Sequence, residues 1–239
     1  MGTPSIRVQL ECALKAAGNP ERAAFMARYF KTGKGEYGEG DVFLGIAVPV
    51  LRKIALAHRD IDFADLQRLL DSKIHEYRAA ALEILVSQYN GGDGKLRREI
   101  VAFYLKNTAR INHWDLVDTS CRPILGGYLK TRPRKILRRL AKSKSLWERR
   151  IAMVSTMALV WDGELDDAIE IAEMLLDDDH DLIRKAVGWV LREVGVQDRA
   201  VLLAFIKKHY ERIPRIALRY AIEHFTSAER KKVLAGKFT

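Results

Sequence analysis

A sequence pattern that returns about every 35 residues constrains the fold more than any other feature of this chain. Four segments carry apolar residues at three- and four-residue steps, which is the spacing of an amphipathic helix. Each opens with one or two basic residues, followed by small residues and an aliphatic run; they are EYRAAALEILVSQY, LWERRIAMVSTMALV, LIRKAVGWVLREVG and IPRIALRYAIEHF. Alignment of Ala79, Arg150, Lys185 and Arg215 gives steps of 71, 35 and 30 residues, so the first step spans two repeats.

Repeats of this length with two helices per unit are typical of HEAT and armadillo solenoids. Proline is scarce and the alternating pattern of β-strands is nearly absent, which favours an all-α fold. We therefore predict one domain over residues 1–239, a curved right-handed solenoid of HEAT-like antiparallel helix pairs with a concave basic groove. The second helix of each pair would line that groove, and this register places five side chains on it: Trp114, Arg150, Lys185, Trp189 and Arg215.

Composition excludes several other classes of protein. Hydrophobic residues make up 48% of the 239 residues, which is enough for a core without disulfides or metals. The two cysteines, Cys12 and Cys121, lack a paired spacing, so we expect a reduced, cytoplasmic protein. We expect no signal peptide and no membrane span. The Gly-rich segment Gly33–Asp41 lacks the GKS or GKT of a phosphate loop and reads as a loop between helices.

The whole chain has a formal charge of +10. In its second half, basic and acidic residues alternate in blocks. The balance is +9 over Tyr128–Arg150, −9 over Ile151–His180 and +7 from Asp181 to the end. One interpretation is an electropositive path for nucleic acid with an acidic back or edge. The alternative is the ordinary charged surface of solvated helices.

The segment HWDLVD stands near residue 114, where the double step from Ala79 to Arg150 lacks its middle member. We predict that Asn112 caps this helix, which makes Asp115 an acid of the first turn that supports the cap and the helix dipole. Trp114 and Asp118 are four residues apart and share a face. Asp118 then either faces a cationic groove or braces two repeats through a buried salt bridge. Trp189 is likewise either a core residue or a groove residue.

Five motifs occur in the order found in one known family, over about residues 20 to 225. They are MARYF (Met26 to Phe30), FLGI with the following VP (Phe43 to Pro49), WDLVD (Trp114 to Asp118), WERR (Trp147 to Arg150) and KAVGWVLRE (Lys185 to Glu193). With these motifs the chain resembles the bacterial DNA alkylation repair enzymes of the AlkD type, which are HEAT-like DNA glycosylases. It departs from some relatives at His113, where they place another tryptophan, and in its longer Gly33–Asp41 loop.

The resemblance implies a monofunctional hydrolase that needs no metal or cofactor. It would excise 3-methyladenine and 7-methylguanine from duplex DNA, as a monomer associated with the nucleoid. Asp118 would be the catalytic carboxylate, Trp114 and Trp189 the aromatic walls around the lesion's sugar, and Arg150 a phosphate or active-site contact. The expected DNA contacts are Lys185, Arg192, Arg215 and Arg149.

Two other classes of function stay open at this point. A non-catalytic binder of branched or damaged DNA would use the same basic groove without releasing bases. A protein–protein scaffold of HEAT type would leave the clustered cations unexplained.

Overall fold

The computed structural model describes residues 4–238, and within that range it contains helices and no β-strand. The all-α prediction is confirmed. These residues divide into two compact units, 4–120 and 121–238. The first unit holds α1 (Ile6–Ala16), α2 (Pro20–Tyr29), α3 (Val48–Ala57), α4 (Phe63–Leu70), α5 (His75–Gly91), α6 (Gly94–Lys106) and most of α7 (Trp114–Cys121).

The second unit begins with the end of α7 and a π-helical segment, Arg122–Gly126. It continues with α8 (Gly127–Leu129), α9 (Lys135–Ala141), α10 (Leu146–Ser155), α11 (Met157–Val160), α12 (Asp166–Met174), α13 (Asp181–Gln197), α14 (Arg199–His209), α15 (Arg215–Ala221) and α16 (Ser227–Leu234). The repeated segments of the sequence coincide with α5, α10, α13 and α15, and α7 begins where the missing member was expected. The curvature, the handedness and the single-domain arrangement stay predictions.

Polar residues placed just before the helices explain where several of them start. A side-chain oxygen at this position satisfies a backbone N–H that has no partner inside the helix. Asn19 accepts from the N–H of Arg22 ahead of α2, which begins at a proline. Aspartates cap α4, α6 and α14 in the same way, and Thr226 forms a reciprocal capping box with Glu229 at α16. At these helices, the local sequence therefore marks where the helix begins.

Each unit is organised around one long helix that carries a repeat motif. In the first unit α5 packs against α1, α3, α4 and α6. In the second unit α13 packs against α10, α12, α14 and α15. The small residues of the repeat motifs lie at these contacts: Ala80 and Ala81 of α5 and Ala186 and Gly188 of α13 are all buried. Small side chains at these positions let neighbouring helices approach closely.

The alternating charge blocks of the second unit pair with each other. The acidic side chains bind basic ones 29 to 35 residues away, which is about one repeat. The pairs are Lys130–Asp162, Arg134–Asp167, Arg138–Glu170, Arg149–Asp178, Lys208–Glu173 and Arg212–Asp177. The acidic stretch is therefore an ionic link between successive repeats. Much of the positive charge that the sequence suggested for DNA is compensated inside the unit.

None of the helices within residues 4–238 combines the length and the apolar character needed to cross a membrane.

Because α13 and α15 are in close contact at Gly188, we predict that adding one methyl group at this position destabilises the fold. A Cβ atom at Gly188 would lie 2.4 Å from the carbonyl oxygen of Ala217 and 2.6 Å from Cβ of Tyr220. Gly188→Ala should therefore lower the free energy of unfolding by about 1–3 kcal/mol, measured in urea. Gly91→Ala is the matched control, because a Cβ there meets nothing within 4 Å. Equal stability of both variants would contradict the close packing.

Candidate functional site

Helix α7 carries the residues on which the functional hypothesis depends, and it begins one residue later than expected. The N–H of Val117 donates to the carbonyl of His113 at 3.0 Å, so His113 occupies the cap position. The prediction that Asn112 caps the helix is wrong, and Asn112 Oδ1 has no hydrogen-bond partner among the described residues. Asp115 is thus the second helical residue. Trp114 and Asp118 are both half-buried on α7.

Asp115 binds two imidazole rings. His75 Nε2 donates to Asp115 Oδ2 at 2.7 Å, and His113 Nδ1 donates to Asp115 Oδ1 at 2.7 Å. Burial alone would raise the pKa of Asp115, but the hydrogen bonds from His113 and His75 outweigh burial and hold that pKa well below its usual range. The Leu116 N–H also donates to Oδ1 at 2.8 Å, so the expected support of the helix start is present. The sequence interpretation missed the histidines.

His75 lies between two carboxylates in the interior of the first unit. The residue is 2% exposed, and its Nδ1 lies 3.1 Å from Asp41 Oδ2, opposite the contact to Asp115. Asp41 also accepts from Arg78 at 2.6 Å. Burial lowers the pKa of His75, but the hydrogen bonds to Asp115 and Asp41 raise it to about 9. We call Asp41, His75, Arg78, His113 and Asp115 the His75 network.

Three members of this network, His75, His113 and Asp115, have the residue types of a metal site, and their candidate ligand atoms lie within 4.8 Å of one another. Nitrogen and oxygen ligands about 2.0–2.1 Å from a tetrahedral zinc ion would stand about 3.3 Å apart. The two contacts to Asp115 are 2.7 Å, which is the length of a direct charge-assisted hydrogen bond. The geometry fits protons between these groups better than it fits an ion.

Aromatic side chains surround Trp114 on several sides. Phe30 stacks on its indole with centroids 5.3 Å apart and planes at 20°, and Tyr29 meets it edge-on at 6.3 Å. The Trp114 side chain hydrogen-bonds Tyr37, while burial raises the pKa of the Tyr37 hydroxyl. Tyr37 also lies against the His113 ring at 5.2 Å. The Gly33–Asp41 loop, which had no predicted contact, therefore delivers Tyr37 to the tryptophan and Asp41 to the His75 network.

The FLGI motif owes its geometry to a buried carboxylate. Glu76, 1% exposed, accepts from the backbone N–H groups of Leu44, Gly45 and Ile46. Gly45 has φ of 80°, and a Cβ there would stand 2.2 Å from the carbonyl oxygen of Asn19. These contacts give the motif a structural role next to the network, because Glu76 follows His75 directly.

The predicted arginine contacts of the second unit are engaged within that unit. Arg150 is 5% exposed and donates to a backbone carbonyl in the first turn of α13. Arg149 binds Asp178 and two backbone carbonyls before α10. Arg215 donates to the last carbonyl of α16 and to a tyrosine hydroxyl. DNA contact by these three arginines stays a prediction, and each would first have to release or share a partner.

Helix α13 brings three predicted site residues together. Lys185, Trp189 and Arg192 follow at steps of four and three residues and so share one face. Trp189 is half-buried, and Arg192 pairs with Glu193 and Glu223. Lys185 has no ion pair or hydrogen bond within residues 4–238, which makes it the clearest candidate for a phosphate. The convergence of this face with α7 in one groove stays a prediction.

The raised pKa of His75 predicts how the stability of the fold depends on pH. The folded protein holds this proton up to about pH 9, whereas an unfolded histidine releases it near 6.5. The raised pKa of His75 therefore contributes on the order of 3 kcal/mol to the free energy of unfolding. This contribution is fully present below pH 6.5 and is lost as pH rises through 9. Urea unfolding at several pH values should show this loss in the wild type and in the exposed control His224→Gln. The loss should be much smaller in His75→Gln.

Comparisons with known proteins agree with this architecture. The sequence profile of the family described as DNA alkylation repair enzyme matches residues 10–225. A solved structure described as a predicted DNA alkylation repair enzyme from Enterococcus faecalis superimposes with a TM-score of 0.69 at 19% identity, covering 88% of this chain and 97% of that chain. No curated protein among those compared matches the chain. The fold is shared with the Enterococcus protein, and the match over residues 10–225 shows that this chain belongs to the family of DNA alkylation repair enzymes.

Proposed function

We propose that this protein is a monofunctional DNA glycosylase that hydrolyses the N-glycosidic bond of cationic alkylated purines in duplex DNA. The reaction would be the first step of base excision repair, with 3-methyladenine and 7-methylguanine as substrates. The observation that supports the proposal is the placement of two acids on α7. Both oxygens of Asp115 are held by histidines, whereas Asp118 lies one turn later, on the face of Trp114.

The chemistry needs only one carboxylate. A purine alkylated at N3 or N7 already carries positive charge, so it leaves as a neutral base without protonation by the enzyme. Ordinary glycosidases need a second carboxyl group for that protonation. What remains is the stabilisation of an oxocarbenium-like sugar and the positioning of water, and an ionised Asp118 can do both.

Aromatic and basic residues would complete the site. Trp114 and Trp189 would flank the sugar, where a cation over an aromatic face gains roughly 0.5–2 kcal/mol. Arg150 would act near the lesion's phosphate, and Lys185, Arg192, Arg215 and Arg149 would hold the backbone. Selection would follow from the lability of cationic lesions, without a tight base pocket. We expect the protein to act as a monomer on duplex DNA.

Asp118→Asn tests the catalytic assignment. The amide keeps the shape of the side chain but loses its charge, so single-turnover base release should fall about 100-fold or more, on the order of 3 kcal/mol. Folding and duplex affinity should stay close to wild type, measured by thermal melting and by binding at fixed salt. Base release at the wild-type rate would remove Asp118 from the mechanism, and an unfolded variant would favour the buried-brace interpretation.

Asp115→Asn is the matched comparison on the same helix. The two imidazole contacts raise its expected cost above that of a simple capping acid, to about 1–3 kcal/mol of stability. Its effect should therefore appear in the melting temperature as well as in catalysis. If Asp115→Asn is as stable as wild type and abolishes release more than Asp118→Asn does, the roles of the two acids are reversed.

Lys185→Ala tests the DNA contact. Log affinity for duplex DNA should fall linearly with log salt, with a slope of about 0.9 per phosphate neutralised. Loss of Lys185 should reduce that slope by about one unit. Arg212→Ala, which removes a cation paired with Asp177, is the control and should leave the slope unchanged. Saturable affinity for methylated DNA with no release of free methylpurine would instead support the non-catalytic binder.

A further inference from the structure

We propose that His75 is a positioning residue for base release, because it joins Asp41 of the Gly-rich loop to Asp115 of α7 and thereby fixes the helix turn that carries Trp114. The inference rests on the proposed glycosylase function, and it gives the Gly33–Asp41 loop a role. His75 does not touch the substrate in this proposal. It acts through the first turn of α7.

The contacts of the imidazole to two carboxylates favour a proton on each ring nitrogen. Nε2 faces Asp115 at 2.7 Å and Nδ1 faces Asp41 at 3.1 Å. A carboxylate only accepts hydrogen bonds, so both contacts are attractive only when both ring nitrogens donate. The ring then carries a positive charge between two negative ones. Arg78, 3.4 Å from Nδ1, opposes this charge but is itself bound to Asp41.

The ring is also held in orientation. The backbone N–H of His75 donates to the carbonyl of Val42 at 2.9 Å, and the Val42 N–H donates to Lys73 at 3.0 Å. Phe43 stacks on the imidazole with centroids 4.6 Å apart and planes at 24°. Because the residue is 2% exposed, neither water nor a rotated ring can replace these contacts at low cost. His75 is therefore a rigid connector between the loop and α7.

Trp114 depends on this connector through two routes. Asp115 is its neighbour in the chain and is bound by His75. Phe30, which stacks on Trp114, also lies against the His75 ring at 5.5 Å and the His113 ring at 4.9 Å. His113 Nε2 contacts the carbonyl of Phe30 at 3.3 Å, so His113 links Phe30 to Asp115 as well. A displacement of about 1 Å in reacting groups can cost about 100-fold in rate, so loosening this turn should slow catalysis.

The test compares wild type with His75→Gln in single-turnover base release from pH 6 to 10, with protein in excess over DNA. Glutamine can reach one carboxylate but carries no charge. At pH 7 we expect release to be slower by about 10- to 100-fold while duplex affinity stays within about twofold. The wild-type rate should fall as pH rises through about 9, and this step should be absent from His75→Gln. The exposed control His224→Gln should keep both the rate and the step.

Nuclear magnetic resonance of the histidine side chains supplies a readout that does not need activity. In the wild type both His75 nitrogens should carry protons at pH 8. Asp41→Asn should lower the pKa of His75 and slow release, and it serves as the second variant if His75→Gln does not fold. Circular dichroism at each pH establishes that the compared proteins are folded.

The outcomes separate the two proposals. A His75 ring that titrates near 6.5 contradicts the charged connector, whatever the activity. A ring that stays protonated to about pH 9 while His75→Gln releases bases at the wild-type rate overturns the positioning role alone. If the wild type releases no methylpurine, the glycosylase assignment fails together with the positioning role, and the resonance data still report whether the connector exists.

Discussion

The hydrogen-bonded ion pair between His75 and Asp115 is the interaction on which the arrangement of the candidate site in the first unit depends. It links the start of α5 to the start of α7 across 40 residues of sequence. A buried charge is costly unless it is paired and fully hydrogen-bonded. His75 meets that condition only because Asp41 approaches from the opposite side. The Gly-rich loop, the repeat helix and the candidate catalytic helix are therefore parts of one electrostatic arrangement.

The second unit is held together by a different kind of contact, repeated along the chain. Acidic side chains of one repeat bind basic side chains of its neighbours, as in Arg134–Asp167 and Arg212–Asp177. Most of these pairs are partly exposed, so each contributes little on its own. The buried apolar faces of α10 and α13, and the close packing at Gly188, remove apolar surface from water, which is the dominant favourable term in folding. The ion pairs favour one register of neighbouring repeats over another.

The intramolecular ion pairs of the second unit reduce the number of basic side chains that are available to contact DNA. A net charge of +10 attracts a polyanion at long range. Short-range contact, however, depends on which cations remain available after the intramolecular pairs are formed. Lys185 is such a cation within the described residues, whereas Arg149 and Arg192 have acidic partners. In the proposed glycosylase, affinity would therefore rest on fewer phosphates than the composition suggests, and selectivity on the proposed chemistry at Asp118.

The helical class, the repeat spacing and the position of α7 followed from the sequence, because apolar periodicity and capping are local properties. The family resemblance, read from motifs such as WDLVD and KAVGWVLRE, was also available from the sequence and is confirmed. The ion pair of Asp115 with His75 could not be predicted from the sequence, since the two residues lie 40 positions apart and no local pattern encodes their contact. The same holds for the charge blocks: only the tertiary structure showed that they neutralise each other. Sequence determines which groups are charged, but the energy of a charge depends on its burial and its partners, and folding decides both.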